Sequence, residues 1–403
     1  MSQRTGPLCD VRILDCTQAL AGPYCTMLLS DLGARVIKVE RPGRGDDSRQ
    51  IGPFIGGESA YFVSLNRGKQ SIALDLRMQQ RTEVSADRRV FERLLERADV
   101  LVENFRPGAM ERLGYGWETL HARYPRLIYA AASGFGRTGP YSRRPAYDMV
   151  VQGMGGIMSL TGTPDGPPTR VGSSIGDITA GLFTAVGVNA ALFERSRTGL
   201  GQMIDVAMLD CQVAILENAI ARYRATGDVP GPLGARHPSI TPFGAFRTRD
   251  GYVIVAAGND GLFATLCRTL ERPDLLERDE FASNDARTRN HDSLQRELES
   301  SLGERSTAEW LERLVAAEVP CGPINDVAQL LADPQVRARN MLVQVAQGSG
   351  EPIEIAGNPL KLSGMEDPTT RPAAPELDGD REQLVREFAL ESATATSDNS
   401  GDP

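Results

Sequence analysis

The sequence predicts an α/β fold built on an open, mostly parallel sheet, and three stretches carry that prediction. First, the chain opens on a strand–helix–strand unit. VRILDCT (11–17) is rich in β-formers, Gly22-Pro23 opens the helix-like YCTMLLSDLGA (24–34), and ARVIKVE (34–40) is a second strand ending in a charge. Second, the alternation repeats. SIALDLR (71–77) reads as a strand, a charged helix follows around 87–97, and ADVLVENF (98–105) reads as the next strand. Third, after the Pro107-Gly108 turn and the helix AMERLG, RLIYAAASGFG (126–136) is a strand running into a glycine loop. In such sheets ligands gather at the carboxyl ends of strands, and Glu40–Arg41, Glu103–Arg106 and Ser133–Gly139 fall there. No GxGxxG is present, so the dinucleotide fingerprint is missing.

The texture changes beyond about residue 200. GQMIDVAMLDCQVAILENAIARY (201–223) reads as one long helical stretch. GDVPGPLGARHPS (227–239) is loop-rich, like a crossing into a second domain. TPFGAFRTRDGYVIVAAGND (241–260) reads as two strands around an Arg-Asp-Gly turn, followed by a glycine loop. Charged helices fill 261–315, and VPCGPIND (319–326) is a turn-rich exit. The end of the chain, from about 386 to 403, is polar and small, and is expected to be disordered.

Bulk properties narrow the function classes. At 403 residues two domains are the default, and 41% hydrophobic with 24% charged residues is ordinary for a soluble protein. The formal net charge of -9 argues against a general nucleic-acid binder. The segment MSQRTGPLCD has no apolar signal region. The longest apolar stretch, 178–194, is broken by Gly181 and Gly187, falls short of the roughly 20 residues of a bilayer span, and is read as a buried helix. No membrane partner and a cytoplasmic setting are expected. The cysteines (Cys9, Cys16, Cys25, Cys211, Cys267, Cys321) show no metal-like spacing, and with His121, His237 and His291 the only histidines, no metal site is expected.

Asp177 is the leading chemical candidate. It lies in VGSSIGDITAG (171–181), behind the glycine-rich QGMGGIMSLTGTPDGPP (152–168), where small backbone lets a substrate approach closely. The plain alternative is a cap for the helix that follows. The chemical reading is a nucleophile at a helix start, where backbone N–H groups favour its charge. Arg41 and Arg112, beside strand ends and turns, suit phosphates through their planar forks. Arg137, in ASGFGRTGPYSRRPAYD (132–148), is a candidate for an acceptor carboxylate. Gly258, Asn259, Asp260 and Gly261 read either as a mobile lid or as a hairpin turn.

Seven ordered segments then carry a resemblance: LAGPYCTMLLSDLGARVIKVERPGRGDD, LNRGKQSIALDL, ADVLVENFRPGAMERLGYG, SGFGRTGPY, YDMVVQGMGGIMSLTG, GDITAG and ERSRTGLGQMIDVAMLD. Over about 8–380 the chain resembles the class III CoA-transferase family, nearest the succinyl-CoA:dicarboxylate branch on the strength of GARHPSITPFGAFRTRDGYVIVAAGND. The resemblance implies a Rossmann-like large domain (1–225), a small α+β domain (226–330), a segment returning to the large domain (331–385), and an interlocked homodimer. It places the nucleophile on Asp177, CoA contacts on Arg41 and Arg112, and lining positions at Gln18, Leu20, Ala21 and Tyr147. A CoA thioester would be substrate, with no permanently bound cofactor, and the acceptor a dicarboxylate such as glutarate or an itaconate-like acid. Formyl-CoA transferase has histidine at Gln18 and lysine at Pro145, which makes oxalate a poor fit. The racemases of the family have histidine at Tyr147, and tyrosine is a weak base for moving a proton beside a thioester. A racemase and a non-catalytic interaction protein are the alternatives.

Overall fold

A computed structural model of the chain describes residues 5–77, 85–347 and 350–388. They fall into two compact units, one formed by 5–157, 171–220 and 334–388, the other by 158–170 and 221–333.

The first unit is an α/β layer structure. Its sheet is made of β1 (Arg12–Asp15), β2 (Arg35–Glu40), β3 (Gln70–Ala73), β4 (Val100–Glu103), β5 (Ile128–Ser133) and β6 (Met203–Ala207), in the order 3-2-1-4-5-6. Every pairing is parallel, with Ile13 opposite both Val36 and Val100. This is the doubly wound order, in which the chain reverses direction between β1 and β4 and leaves a crevice there. The central strands are buried on both faces, which is why VLVE and IYAAAS are apolar almost throughout.

Alternation sends neighbouring side chains to opposite cores. Ile13, Val36, Val100 and Ile128 pack under α1 (Ala21–Asp31) and the long helix 175–198. Leu14, Ile37, Leu101 and Tyr129 pack with Phe91 and Leu94 of the helix 86–96. The edge strand β3 is covered by the C-terminal part of the chain. Asp380 accepts from the Ser71 N–H at 2.8 Å and Asp378 from the Ala73 N–H at 2.7 Å, which blunts an otherwise open edge.

The second unit holds a three-stranded antiparallel sheet, β7 (Phe243–Arg247), β8 (Tyr252–Ala256) and β9 (Cys321–Pro323), with β8 central. Helices pack on it around Phe246, Val253, Val255, Phe263, Leu298 and Trp310.

Four sequence readings need correction. The stretch 201–223 is not one helix: Met203–Ala207 is β6, and helices occupy 208–214 and 219–226. Gly201 makes this possible, because a Cβ there would lie 2.0 Å from the Leu127 carbonyl as the strand enters beside β5. The exit 319–326 contains β9, the third strand of its sheet. The apolar helix is longer than 178–194. At 24 residues it is long and apolar enough to cross a bilayer by length and composition. It is also only half-buried: Thr179, Ala180, Thr184, Val188 and Ala191 face the core, while Leu182, Phe183, Val186 and Phe193 are exposed. The polar tail starts later than 386, since Arg386 and Glu387 belong to a helix and Phe388 is buried; residues 389–403 lie outside the described residues.

Candidate active site

Asp177 is the third residue of α6 (Ile175–Thr198), counting α2 (Ala60–Asn66), α3 (Ala86–Glu96), α4 (Ala109–Arg112) and α5 (Asp148–Met154) before it. It does not cap that helix. The cap position belongs to Ser174, whose side chain makes no capping bond, and the Gly176 N–H is taken by Asp148 Oδ1 at 2.8 Å. Asp148 is in turn held by Gln152, whose Nε2 donates to Oδ2 at 2.8 Å and whose Oε1 accepts from the Val171 N–H at 2.9 Å. Gly176 is required for this docking, because a Cβ would come 2.7 Å from Val151 Cγ2.

The Asp177 carboxylate therefore sits half-buried with no hydrogen-bond donor among the described residues. Burial, with a smaller contribution from the charge of Asp148, pushes its pKa up to about 7. The α6 N-terminus partly offsets this by favouring negative charge in its first turn. A carboxylate that ionises near neutrality and is not solvated by donors is a reactive one.

Other predicted residues fall into three groups. Gln18 and Arg41 share a cleft of about 520 Å³ across the carboxyl ends of β1 to β4, lined also by Cys16, Leu74, Phe105 and Leu113. Arg41 Nη2 lies 3.4 Å from Gln18 Oε1 and 2.7 Å from Asp47. Arg112 is exposed on α4, next to the lining residue Leu113. Leu20 and Ala21 start α1, and the Ala21 carbonyl abuts Gly181 of α6, where a Cβ would lie 2.7 Å away. Tyr147 precedes Asp148 at the α5 cap position and is 80% exposed.

Arg137 is already engaged. Its guanidinium pairs with Glu103 at 3.3 Å and with Glu111, so its fork is occupied by two carboxylates. Gly258–Gly261 lie in the second unit at the start of the helix Asp260–Thr269. They form a strand-to-helix turn rather than a hairpin: Asn259 caps the helix through the Leu262 N–H at 2.9 Å, and Asp260 pairs with buried Arg287 at 2.6 Å. Among the described residues no cluster of His, Cys, Asp or Glu is arranged to hold a metal.

Sequence reasoning missed Tyr61. It stands in the first turn of α2, and burial raises its phenol to about 12, with the charges of Asp177, Asp46 and Asp148 adding to the shift. Those three carboxylates come from distant parts of the chain, and no local pattern announces their convergence. A larger cleft, about 800 Å³, opens at the amino ends of β1 to β3. It is a poorer candidate, because its Arg35, Arg67 and Arg371 are already paired with Glu387, Asp31 and Asp367.

The family model for CoA-transferase family III matches residues 8–381. The chain is 46% identical to the acetyl-CoA:oxalate CoA-transferase of Acetobacter aceti, over 96% of this chain and 97% of that protein. It is 44% identical to the succinyl-CoA:mesaconate CoA-transferase of Haloarcula hispanica, over 96% and 98%. Among solved structures, a CAIB/BAIF family protein from Brucella suis is 39% identical, with a TM-score of 0.82, over 96% of this chain and 100% of that one.

The raised pKa of Asp177 has a consequence for stability. The folded state binds the proton more tightly than the unfolded chain, so the cost of ionisation is absent below the ordinary value of 3.8, grows as pH rises to about 7, and is constant above. Asp177→Asn should therefore be more stable than the parent by roughly 1–3 kcal/mol at pH 8, with the gain fading towards pH 4. Denaturant unfolding across that range checks it; a gain independent of pH would contradict it.

Proposed function

The chain belongs to CoA-transferase family III, an enzyme family acting on acyl-CoA and carboxylic acid substrates, and we propose that Asp177 is the side chain that carries the acyl group between them. The observation behind this is the unpartnered, half-buried carboxylate in the first turn of α6.

The Asp177 carboxylate attacks the thioester carbonyl of the donor, forming a mixed anhydride and releasing CoA thiolate. The thiolate attacks the anhydride at the Asp177 carbonyl, which gives an aspartyl-CoA thioester and frees the donor acid. The acceptor carboxylate then attacks that thioester, and the same two steps in reverse yield the new acyl-CoA and restore Asp177. Each oxyanion develops at the N-terminal end of α6, where the helix dipole favours negative charge. Excluding water keeps the thioester bond energy in the cycle.

The cleft between β1 and β4 is proposed to take the nucleotide end of CoA. Leu74, Phe105 and Leu113 offer apolar surface for a base, with Arg41 and Arg112 toward phosphates. The donor proposed is succinyl-CoA and the acceptor a dicarboxylate such as glutarate or an itaconate-like acid. The two relatives are named for dicarboxylic acceptors, oxalate and mesaconate, which supports that class and places oxalate in any acceptor panel. An interlocked homodimer is proposed to cover the exposed apolar faces of α5 and α6, where Met149, Val150, Met154, Val186 and Phe193 lie.

Four outcomes test this reading. Asp177→Ala should lose CoA transfer by about 1,000-fold or more. The parent enzyme quenched with succinyl-CoA should yield a peptide modified at Asp177, and a variant with undiminished rate sinks the role. Arg41→Ala should raise the acyl-CoA KM about tenfold, or 1.4 kcal/mol, and leave the acceptor KM within about twofold; the reverse pattern would assign Arg41 to the acceptor. Sedimentation should give twice the chain mass, and Val186→Asp should shift it towards monomer or cost most of the folded yield. A parent enzyme sedimenting as a monomer would refute the dimer.

A further inference from the structure

We propose that Asn104 is a positioning residue, whose side-chain amide fixes the Gln18–Ala21 turn and thereby sets the alignment between the CoA cleft and Asp177. The inference rests on the reading of Asp177 and the cleft given above.

The turn between β1 and α1 is held from outside by side chains rather than by its own backbone. Asn104, just past the end of β4, uses both ends of its amide on one residue. Its Oδ1 accepts from the Gln18 N–H at 2.8 Å, and its Nδ2 donates to the Gln18 carbonyl at 2.8 Å. Neighbouring peptide groups are held similarly. Lys38 Nζ donates to the Thr17 carbonyl at 2.9 Å, and Asp46 Oδ1 accepts from the Ala19 N–H at 3.1 Å. Lys38 and Asp46 also pair with each other at 2.8 Å, both side chains fully buried. Four consecutive backbone polar groups, from the Thr17 carbonyl to the Ala19 N–H, are thus each claimed by a side chain from outside the turn: Lys38 of β2, Asp46 of the loop after β2, and Asn104.

What they hold is strained. Ala19 has φ of 63°, the left-handed region, which costs a non-glycine residue on the order of 1 kcal/mol. A conformation of this kind persists only where surroundings over-determine it, and such positions gather at functional sites.

The turn also connects the two parts of the proposed site. At one end the Gln18 side chain lines the cleft beside Arg41. At the other the Ala21 carbonyl rests against Gly181, one helical turn beyond Asp177 on α6. Asn104 is not among the cleft-lining residues and acts through Gln18. Loosening the turn leaves the apolar walls that bind the nucleotide end but misplaces the thioester relative to the carboxylate. Small misalignments of reacting groups are costly. They also let water compete: it attacks the aspartyl-CoA carbonyl, the C–S bond breaks, CoA leaves as the thiol, and Asp177 returns as the free carboxylate.

The test compares the parent enzyme with Asn104→Ala, using succinyl-CoA with and without a dicarboxylate acceptor. Turnover is normalised to the fraction of protein that forms the Asp177 adduct, and the ratio of hydrolysis to transfer is recorded. A merely structural defect lowers the active fraction and leaves that ratio alone. The expected result is a normalised kcat about 10- to 100-fold lower, an acyl-CoA KM within about threefold, and a hydrolysis-to-transfer ratio at least about fivefold higher. Should the alanine variant not fold, Asn104→Asp carries the same test. It keeps the acceptor for the Gln18 N–H, sets an oxygen against the Gln18 carbonyl, and should move the ratio in the same direction. An unchanged ratio with unchanged normalised kcat overturns the proposal. A parent enzyme that transfers CoA without any Asp177 adduct removes the nucleophile reading and this inference together; a parent that forms the adduct, beside variants with an unchanged ratio, removes this inference alone.

Discussion

A carboxylate without hydrogen-bond donors, held half-buried beside a second carboxylate, is the constraint on which the reading of this site depends. Asp177 has every local reason to be stabilised differently. It stands in the first turn of a 24-residue helix, where the dipole favours negative charge and an acidic side chain ordinarily finds a backbone N–H. Instead Asp148 reaches in from α5 and takes the Gly176 N–H, and Gln152 locks Asp148 in place. The capping task is thereby handed to one carboxylate and the other is left exposed to chemistry. The cost is an ionisation displaced to about 7, which is the kind of local instability that functional sites retain.

The floor beneath the neighbouring turn is built on the opposite principle, with buried charges fully paired. Burial would raise the pKa of Asp15, yet Lys38 and Lys69 with two threonine hydroxyls hold it well below the usual carboxylate range. Burial lowers Lys69 to about 8, with Asp15 opposing the shift. Its ammonium group is bonded to Asp15, Thr26 and Asn66 at 2.8–2.9 Å. Such a network is an uncertain source of stability, since desolvation offsets the attraction, but it fixes geometry strongly because any broken partner strands a charge. Here the geometry it fixes is that of the strand ends from which Thr17 and Ala19 emerge.

Much of the fold could be read from the sequence, because strands buried on both faces announce themselves as apolar runs and their alternation with helices points to a parallel sheet; the strand order came only with the structure. Arg41 could be placed at the cleft because it follows a strand end, whereas Gln18 is marked only by the family resemblance. What could not be read is instructive. β6 was hidden because Met203–Ala207 is only partly buried and leads directly into a helix, so the helical period swallowed it. The engagement of Arg137 depends on Glu103 and Glu111, which meet it only in three dimensions. The same holds for Tyr61, whose phenol feels the charges of Asp177, Asp46 and Asp148, and for Asp46 and Asn104, which hydrogen-bond to the Gln18–Ala19 turn: none leaves a local motif. The exposed apolar side of α6 looks, as sequence, like the rest of a buried helix, since composition does not separate a face turned to the core from one turned outward.

The central claim is that an oxygen of Asp177 joins the acyl group, and isotope exchange tests it most directly. In the proposed cycle the acceptor carboxylate delivers one of its oxygens to Asp177 when the anhydride is opened by CoA at the acceptor's carbonyl. Turnover with an acceptor acid labelled in its carboxylates with heavy oxygen, followed by digestion and mass analysis, should place heavy oxygen in the carboxylate of Asp177 and nowhere else in the protein. Full turnover with an unlabelled Asp177 would mean that CoA passes between the two acids without this side chain.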